Sequence, residues 1–307
     1  MRYCIQKFAL GKHPEIELSE NEFQKLQSAR EKLSASLGIS EKFELMLQNF
    51  IELEKELLIN SADLIVSPFG DYPQVFDSRL TLNRRIVNLL TSTKLYVDQA
   101  TKHIRPFFED ESEVKKEVKS YFSEEYDNSE HYRFMEALRN YVQHDGLAVH
   151  NLSYPFRWVG EGPNKLMEHR TEIFSRKNLL EEDKNFKRAV LSEMDEKVDI
   201  NVSAREYVGC LKRIHLKLQN LIDNQTAQAR ELFQNYISEY ERVNDQQVIG
   251  LYALAKERGE PIDKIVDKFS IQLDWDDIRV KLNNKHRSLG KIEKMFVSGA
   301  LVTSKSR

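Results

Sequence analysis

Phe134-Met-Glu-Ala-Leu-Arg-Asn-Tyr-Val-Gln-His-Asp-Gly-Leu-Ala-Val-His150 contains the phrase Arg139-Asn-Tyr-Val-Gln-His144, and how this stretch folds decides the reading of everything around it. Phe134, Leu138 and Tyr141 or Val142 recur at helical spacing, whereas Glu136, Asn140 and His144 fall four apart on another face. One face can pack while the other meets a substrate. On an ideal helix Arg139 and His144 are about 140° apart and about 7.5 Å along the axis, a gap that a long arginine side chain can narrow around a shared phosphate. Asp145-Gly146 predicts the helix end, which puts His144 in the last turn.

Upstream, the spacing of Leu82, Ile86, Leu89, Leu90, Thr93, Tyr96, Val97 and Ala100 predicts a long amphipathic helix over 77–104, stopped by Pro106. Its cations Arg84, Arg85, Lys102 and His103, with Arg105 beyond, fit ordinary surface or ion-pair roles better than phosphate binding. A further helix is expected over 112–122, then an acidic loop from Glu124 to Glu130, with Asp127 or Ser129 able to cap the motif helix. Nearer the start, a short strand precedes Ser19-Glu-Asn-Glu22, where Ser19 can cap a helix and Glu22 can reach back to the first amides. Ser40 begins a second helix with a stripe of Phe43, Leu47, Phe50 and Leu57. Pro68, Gly70 and Pro73 break the pattern.

Downstream, Leu152–Gly160 and Leu166–Phe174 read as two extended pieces joined by Gly160-Glu-Gly-Pro-Asn, an inserted β-hairpin. His150 sits at its base, and Arg157, Trp158 and Arg170 can make an RNA-contacting edge, since aromatic rings stack on bases and guanidinium groups meet phosphates. Packing of the hairpin on the helices is the stronger reading. Helical periodicity returns near 182–194 and runs strongly over 203–242 through Tyr207, Cys210 or Leu211, Ile214, Leu218, Ile222, Tyr236 and Tyr240. That stripe serves an intramolecular core better than a dimer seam. After Asn244-Asp-Gln-Gln the chain is read as an appendage: a helix through Leu251 and Leu254, a break at Gly259-Glu-Pro261, a segment over 261–269, an extended 271–273, and a helix over 275–284. Lys281, Lys285 and Arg287 form its most plausible nucleic-acid patch, with solubility as the competing role.

Composition limits the function classes. A chain of 307 residues buries a core without staples, and two cysteines, Cys4 and Cys210, exclude a disulfide framework or thiolate metal cluster. The net charge of −3 is unlike that of a protein coating nucleic acid nonspecifically, but charge is segregated. Residues 109–130 carry nine acids, and 281–307 carry seven Lys or Arg against Glu293 alone, so local fields outweigh the total. The opening lacks the apolar region of a secretion signal and no later run reaches transmembrane length, so a cytoplasmic protein with no membrane partner is expected. His131, His144 and His150 lack metal-ligand spacing, and no nucleotide-binding glycine loop occurs. No metal or cofactor is expected.

Arg139, Asn140 and His144 match the Arg-x4-6-His signature of the HEPN superfamily, which the stretch resembles, and the Tyr-Val-Gln-His-x-Gly-Leu-x-Val-His phrase is similar to an AbiU2-like branch of bacterial and phage-defence proteins. The resemblance implies a mainly α fold: a HEPN-like helical bundle over 15–243 that includes the hairpin at 152–174, with an N-terminal segment at 1–14 and a small C-terminal appendage at 244–307. It also implies a homodimer whose paired motifs form a metal-independent endoribonuclease site, with RNA as substrate and Arg139, Asn140 and His144 as catalytic residues. The chemistry suits these side chains: a neutral His144 accepts the 2′-hydroxyl proton, a protonated counterpart donates to the leaving 5′-oxygen, and Arg139 stabilises the phosphoryl charge. The alternative is a non-catalytic RNA-binding or protein-interaction regulator in which Arg139 and His144 are structural, with a regulatory protein as a possible partner. Asp145 bears on both, because its charge raises the proton affinity of a neighbouring histidine and repels a phosphate.

Overall fold

The computed structural model describes residues 1–9, 11–67, 71–244, 248–259 and 263–297. The breaks expected at Pro68 and Gly70, at 245–247 and at Pro261, and the segment after 297, lie outside the described residues. In chain order the elements are β1 (Arg2–Lys7), β2 (Glu15–Leu18), α1 (Glu20–Val66), α2 (Tyr72–Ile104), α3 (Glu111–Asn128) and α4 (Glu130–His144). There follow β3 (Asn151–Ser153), β4 (Phe156–Val159), β5 (Leu166–His169), β6 (Glu172–Arg176), α5 (Lys177–Glu181), α6 (Arg188–Glu193) and β7 (Lys197–Asp199). The chain continues through α7 (Ile200–Asn244), β8 (Leu251–Glu257), β9 (Lys264–Ser270) and α8 (Asp274–Ser288). The fold is mainly helical with small antiparallel sheets, and no helix among the described residues is long and apolar enough to cross a membrane. It divides into two compact units: Met1–Glu41, Asp98–Val118 and Leu216–Ser288 form the first; Lys42–Val97, Lys119–His215 and the segment from Leu289 form the second.

In the first unit, β1 lies between β2 and β8 in a four-stranded antiparallel sheet of order β2-β1-β8-β9. Ile5, opposite Ala253, joins Phe23, Leu26, Leu33, Phe233, Leu251 and Phe269 in the core. Ser19 and Glu22 form the expected capping box: the Glu22 carboxylate accepts from Ser19 N at 2.8 Å, and Ser19 Oγ accepts from Glu22 N at 3.2 Å. Asp276, fully buried on α8, takes ion pairs from Arg230 and Arg279. One expectation fails here: the helix expected through Leu251 and Leu254 is strand β8, and the segment that follows it pairs alongside as strand β9 over 264–270. Leu251, Ala253 and Ala255 alternate on one buried face, and β1, about 250 positions earlier, supplies the hydrogen bonds that win over local helix propensity. The segment read as an N-terminal extension thus pairs with the segment read as an appendage. Residues 271–273 are irregular, and the helix expected at 275–284 is α8.

No helix begins at Ser40, because α1 runs unbroken through Gly38 and Ser40. A Cβ at Gly38 would stand 2.4 Å from the His103 ring, so the glycine is a close-approach site inside a helix. Ser40 donates to Ser36 O at 3.0 Å, a bond compatible with helix interior.

The second unit packs Phe43, Leu53, Leu82, Ile86, Tyr96, Leu138, Tyr207 and Leu211, all fully buried. His215 lies flat on Phe43 at 3.9 Å with Nδ1 3.1 Å from Tyr96 Oη, a core histidine. Arg85 pairs with Glu52 and Glu56, the ion-pair role expected of it. The acidic loop expected at 124–130 is mostly helix, since α3 runs to Asn128. The inserted hairpin is present: β4 pairs with β5 in the register Arg157↔Glu168 and Trp158↔Met167, around Gly160 at φ +100°. Below it β3, β6 and β7 form a second small sheet. Ser129 caps α4, accepting from Tyr132 N at 3.1 Å; Ser129→Ala should cost about 1 kcal/mol in equilibrium unfolding, the usual loss for a removed N-cap.

Candidate functional site

α4 carries the motif as the periodicity predicts: Phe134, Met135, Ala137 and Leu138 are buried, while Asn140 and His144 are exposed. The helix ends at Asp145, whose N–H reaches Tyr141 O at 2.9 Å. Tyr141 packs closely over Gly146, where a Cβ would fall 2.3 Å from its Oη and the ring would have to shift. The following chain is pinned to α2 by Asn83, whose amide accepts from Val149 N at 2.8 Å and donates to Val149 O at 3.3 Å.

The two ends of the signature face different surroundings. Arg139 is only 9% exposed, and its Nη1 donates to the Glu136 carboxylate at 2.8 Å. Glu136 also accepts from Tyr207 on α7. Burial first, then the Glu136 charge, pushes the Tyr207 phenol well above its ordinary range, so that phenol stays protonated and donates. Arg139 Nη2 donates to Asn140 Oδ1 at 3.1 Å, and its buried Nε has no hydrogen-bond partner among the described residues. Arg139 is therefore held inside the fold and acts on the surface only through Asn140.

Asn140 and His144 line a pocket of about 40 Å³ with Ala137, Tyr141, Asp183, Asn185, Phe186 and Lys187. That volume holds a few waters or one phosphate-sized group. Asp183 Oδ1 accepts from Asn185 N at 2.7 Å, an Asx turn that presents the 183–187 loop to the end of α4. Lys187 also lines the pocket, and its Nζ donates to Tyr126 Oη at 3.1 Å. Sequence reasoning missed this loop. Its one signal, Asp183-Lys-Asn185, marks a turn and says nothing of the helix it meets.

Asp145 borders this site. Desolvation, a hydrogen bond with Asp183 and repulsion from that carboxylate raise the Asp145 pKa, while His144 pulls it down. A carboxyl raised in the folded state holds its proton longer than in the unfolded chain, so Asp145 costs stability as pH rises above the usual carboxylate value of about 3.9, by an amount that solvent screening keeps small at this exposed position. Asp183→Asn should therefore raise the unfolding temperature at pH 7, with the gain vanishing at pH 3.

His150 is hydrogen-bonded within the fold. Its Nδ1 accepts from Arg176 N at 3.0 Å, Tyr141 Oη stands 3.4 Å from Nε2, and burial lowers its pKa. The hairpin arginines are likewise engaged: Arg157 and Arg170 converge on Glu168, which they hold below the usual carboxylate range. Trp158 and Phe156 remain open on one face, 59% and 61% exposed. On α8, Lys281 and Lys285 are exposed and Arg287 pairs with Asp223. These three belong to the first unit and the motif to the second. His131 meets Ser203 Oγ at 3.2 Å, and burial raises the Cys210 thiol to about 12, an inert group. Among the described residues, no three His, Cys, Asp or Glu side chains converge as metal ligands. No protein-family model, curated protein or solved structure matches the chain.

Proposed function

We propose that the chain is a HEPN-like, metal-independent endoribonuclease that acts as a homodimer through His144. The observation that supports this most is the exposed pair Asn140 and His144 sharing a phosphate-sized pocket with Lys187. Neutral His144 takes the proton from an RNA 2′-hydroxyl, and the 2′-oxygen attacks phosphorus. The bond to the 5′-oxygen breaks as the protonated His144 of a second copy donates to it, leaving a 2′,3′-cyclic phosphate and a 5′-hydroxyl. Asn140 has Oδ1 occupied by Arg139, so its Nδ2 amine is the group offered to the phosphate, and Lys187 supplies the positive charge. Arg139 becomes a positioning residue. Phe156 and Trp158 are exposed rings available for stacking on bases.

The burial of Arg139 against Glu136 favours a second reading, a regulator that binds RNA or protein and keeps the motif for structure. Incubating purified protein with RNA in EDTA separates the two. Fragments produced by the wild type and lost in His144→Ala support the enzyme; RNA bound yet uncut supports the regulator.

A further inference from the structure

A run of directional hydrogen bonds leads from the core of the second unit to the pocket that His144 lines. It begins at Tyr207 on α7, whose side chain is fully buried and packs edge-on against Tyr132, ring centroids 5.0 Å apart. The Tyr207 hydroxyl donates to Glu136 Oε1, while Arg139 Nη1 donates to Glu136 Oε2 at 2.8 Å. Arg139 Nη2 donates elsewhere, to Asn140 Oδ1 at 3.1 Å. Asn140 is exposed and lines the pocket with His144 and Lys187. All of these residues belong to the second unit.

A guanidinium and a carboxylate commonly meet fork to fork, through two parallel N–H···O bonds. For a carboxylate with one oxygen already on Nη1, the other oxygen would complete that fork on Nη2. Here Tyr207 takes the other oxygen, and Nη2 goes to Asn140 instead. Packing against Tyr132 needs the ring of Tyr207 but not its hydroxyl, which a phenylalanine would lack without changing the space filled. The hydroxyl therefore acts on the polar side of the network, and its effect reaches the pocket. A primary amide has an acceptor end and a donor end, so an asparagine whose Oδ1 is drawn back by Arg139 turns Nδ2 outward. A loose asparagine could offer either end.

We propose that Tyr207 is a positioning residue for this pocket: by occupying one oxygen of Glu136 it keeps the Arg139 fork divided between Glu136 and Asn140, and so fixes Asn140 as a hydrogen-bond donor to a phosphoryl oxygen. This role rests on the reading of the pocket as a phosphate site and does not depend on RNA being cut. Without the hydroxyl, Glu136 closes both oxygens on Arg139 and Asn140 is released.

Inorganic phosphate titrated into the full chain tests this, read at the side-chain amide signal of Asn140 in heteronuclear NMR spectra and assigned by its loss in Asn140→Ala. In the wild type that amide should be as rigid as the backbone of α4 and should shift as phosphate binds. In Tyr207→Phe it should become mobile, and phosphate should bind about tenfold more weakly, the worth of one hydrogen bond to a charged group. A mobile Asn140 amide in the wild type, or one that ignores phosphate, overturns the proposal before any substitution at Tyr207 is made. So does a folded Tyr207→Phe with unchanged phosphate affinity, and an unfolded one places the hydroxyl in the fold and overturns it as well. Phosphate bound by the wild type and weakened in Tyr207→Phe, with RNA left intact by both, upholds the role of Tyr207 and removes the endoribonuclease reading alone.

Discussion

Arg139→Met should destabilise the protein by about 3–5 kcal/mol, the usual consequence of removing one member of a buried ion pair and leaving the other uncompensated. Glu136 has 17% of its side chain exposed and Arg139 11%, so water offers the stranded carboxylate little relief. Tyr207 donates to the same carboxylate and cannot replace a charge. Arg139→Met with Glu136→Gln should recover most of the loss, because the amide still accepts from Tyr207 and no net charge stays buried. Arg139→Lys separates fold from site. It retains the charge beside Glu136 but lacks the planar fork that also holds Asn140 Oδ1, so cleavage should fall more than stability. Denaturant titration of the four proteins measures these effects, and equal stability of wild type and Arg139→Met would contradict the buried-pair account.

His144→Ala should behave in the opposite way. The side chain is exposed at the end of α4, and removing it should shift unfolding by no more than about 0.5 kcal/mol. Cleavage, by contrast, should fall by roughly 10²–10⁴, the contribution of a positioned acid-base group. The contrast between the two substitutions is informative, because a shared catalytic role would not divide stability from activity in this way. An inactive His144→Ala that is also unfolded would place the histidine in the fold and sink the catalytic assignment.

Local chemistry made much of this architecture legible. Ser19 and Glu22, three apart, cap α1 as their spacing implies, Ser129 caps α4, and Gly160 turns the hairpin. The stripes on α2 and α7 are buried where their period predicts, with Tyr207 and Leu211 enclosed in one unit and Leu218 and Ile222 in the other. What escaped depended on distant chain. β8 is a strand because β1 pairs with it, and Gly38, just before the helix start expected at Ser40, lies inside α1 where the His103 ring packs against it. The candidate site divides the same way. The exposure of Asn140 and His144 follows from helical spacing, but Arg139 is buried because Tyr207, 68 positions away, and Glu136 form its surroundings. The 183–187 loop reached the motif through tertiary packing that no short pattern encodes.

End-group analysis of RNA incubated with the wild-type protein in EDTA tests the central claim most directly. Single-stranded, structured and tRNA-like substrates should include at least one that yields 2′,3′-cyclic phosphate and 5′-hydroxyl ends, absent with His144→Ala. RNA left intact across that panel by a folded dimer, or fragments bearing 5′-phosphates, would contradict the account.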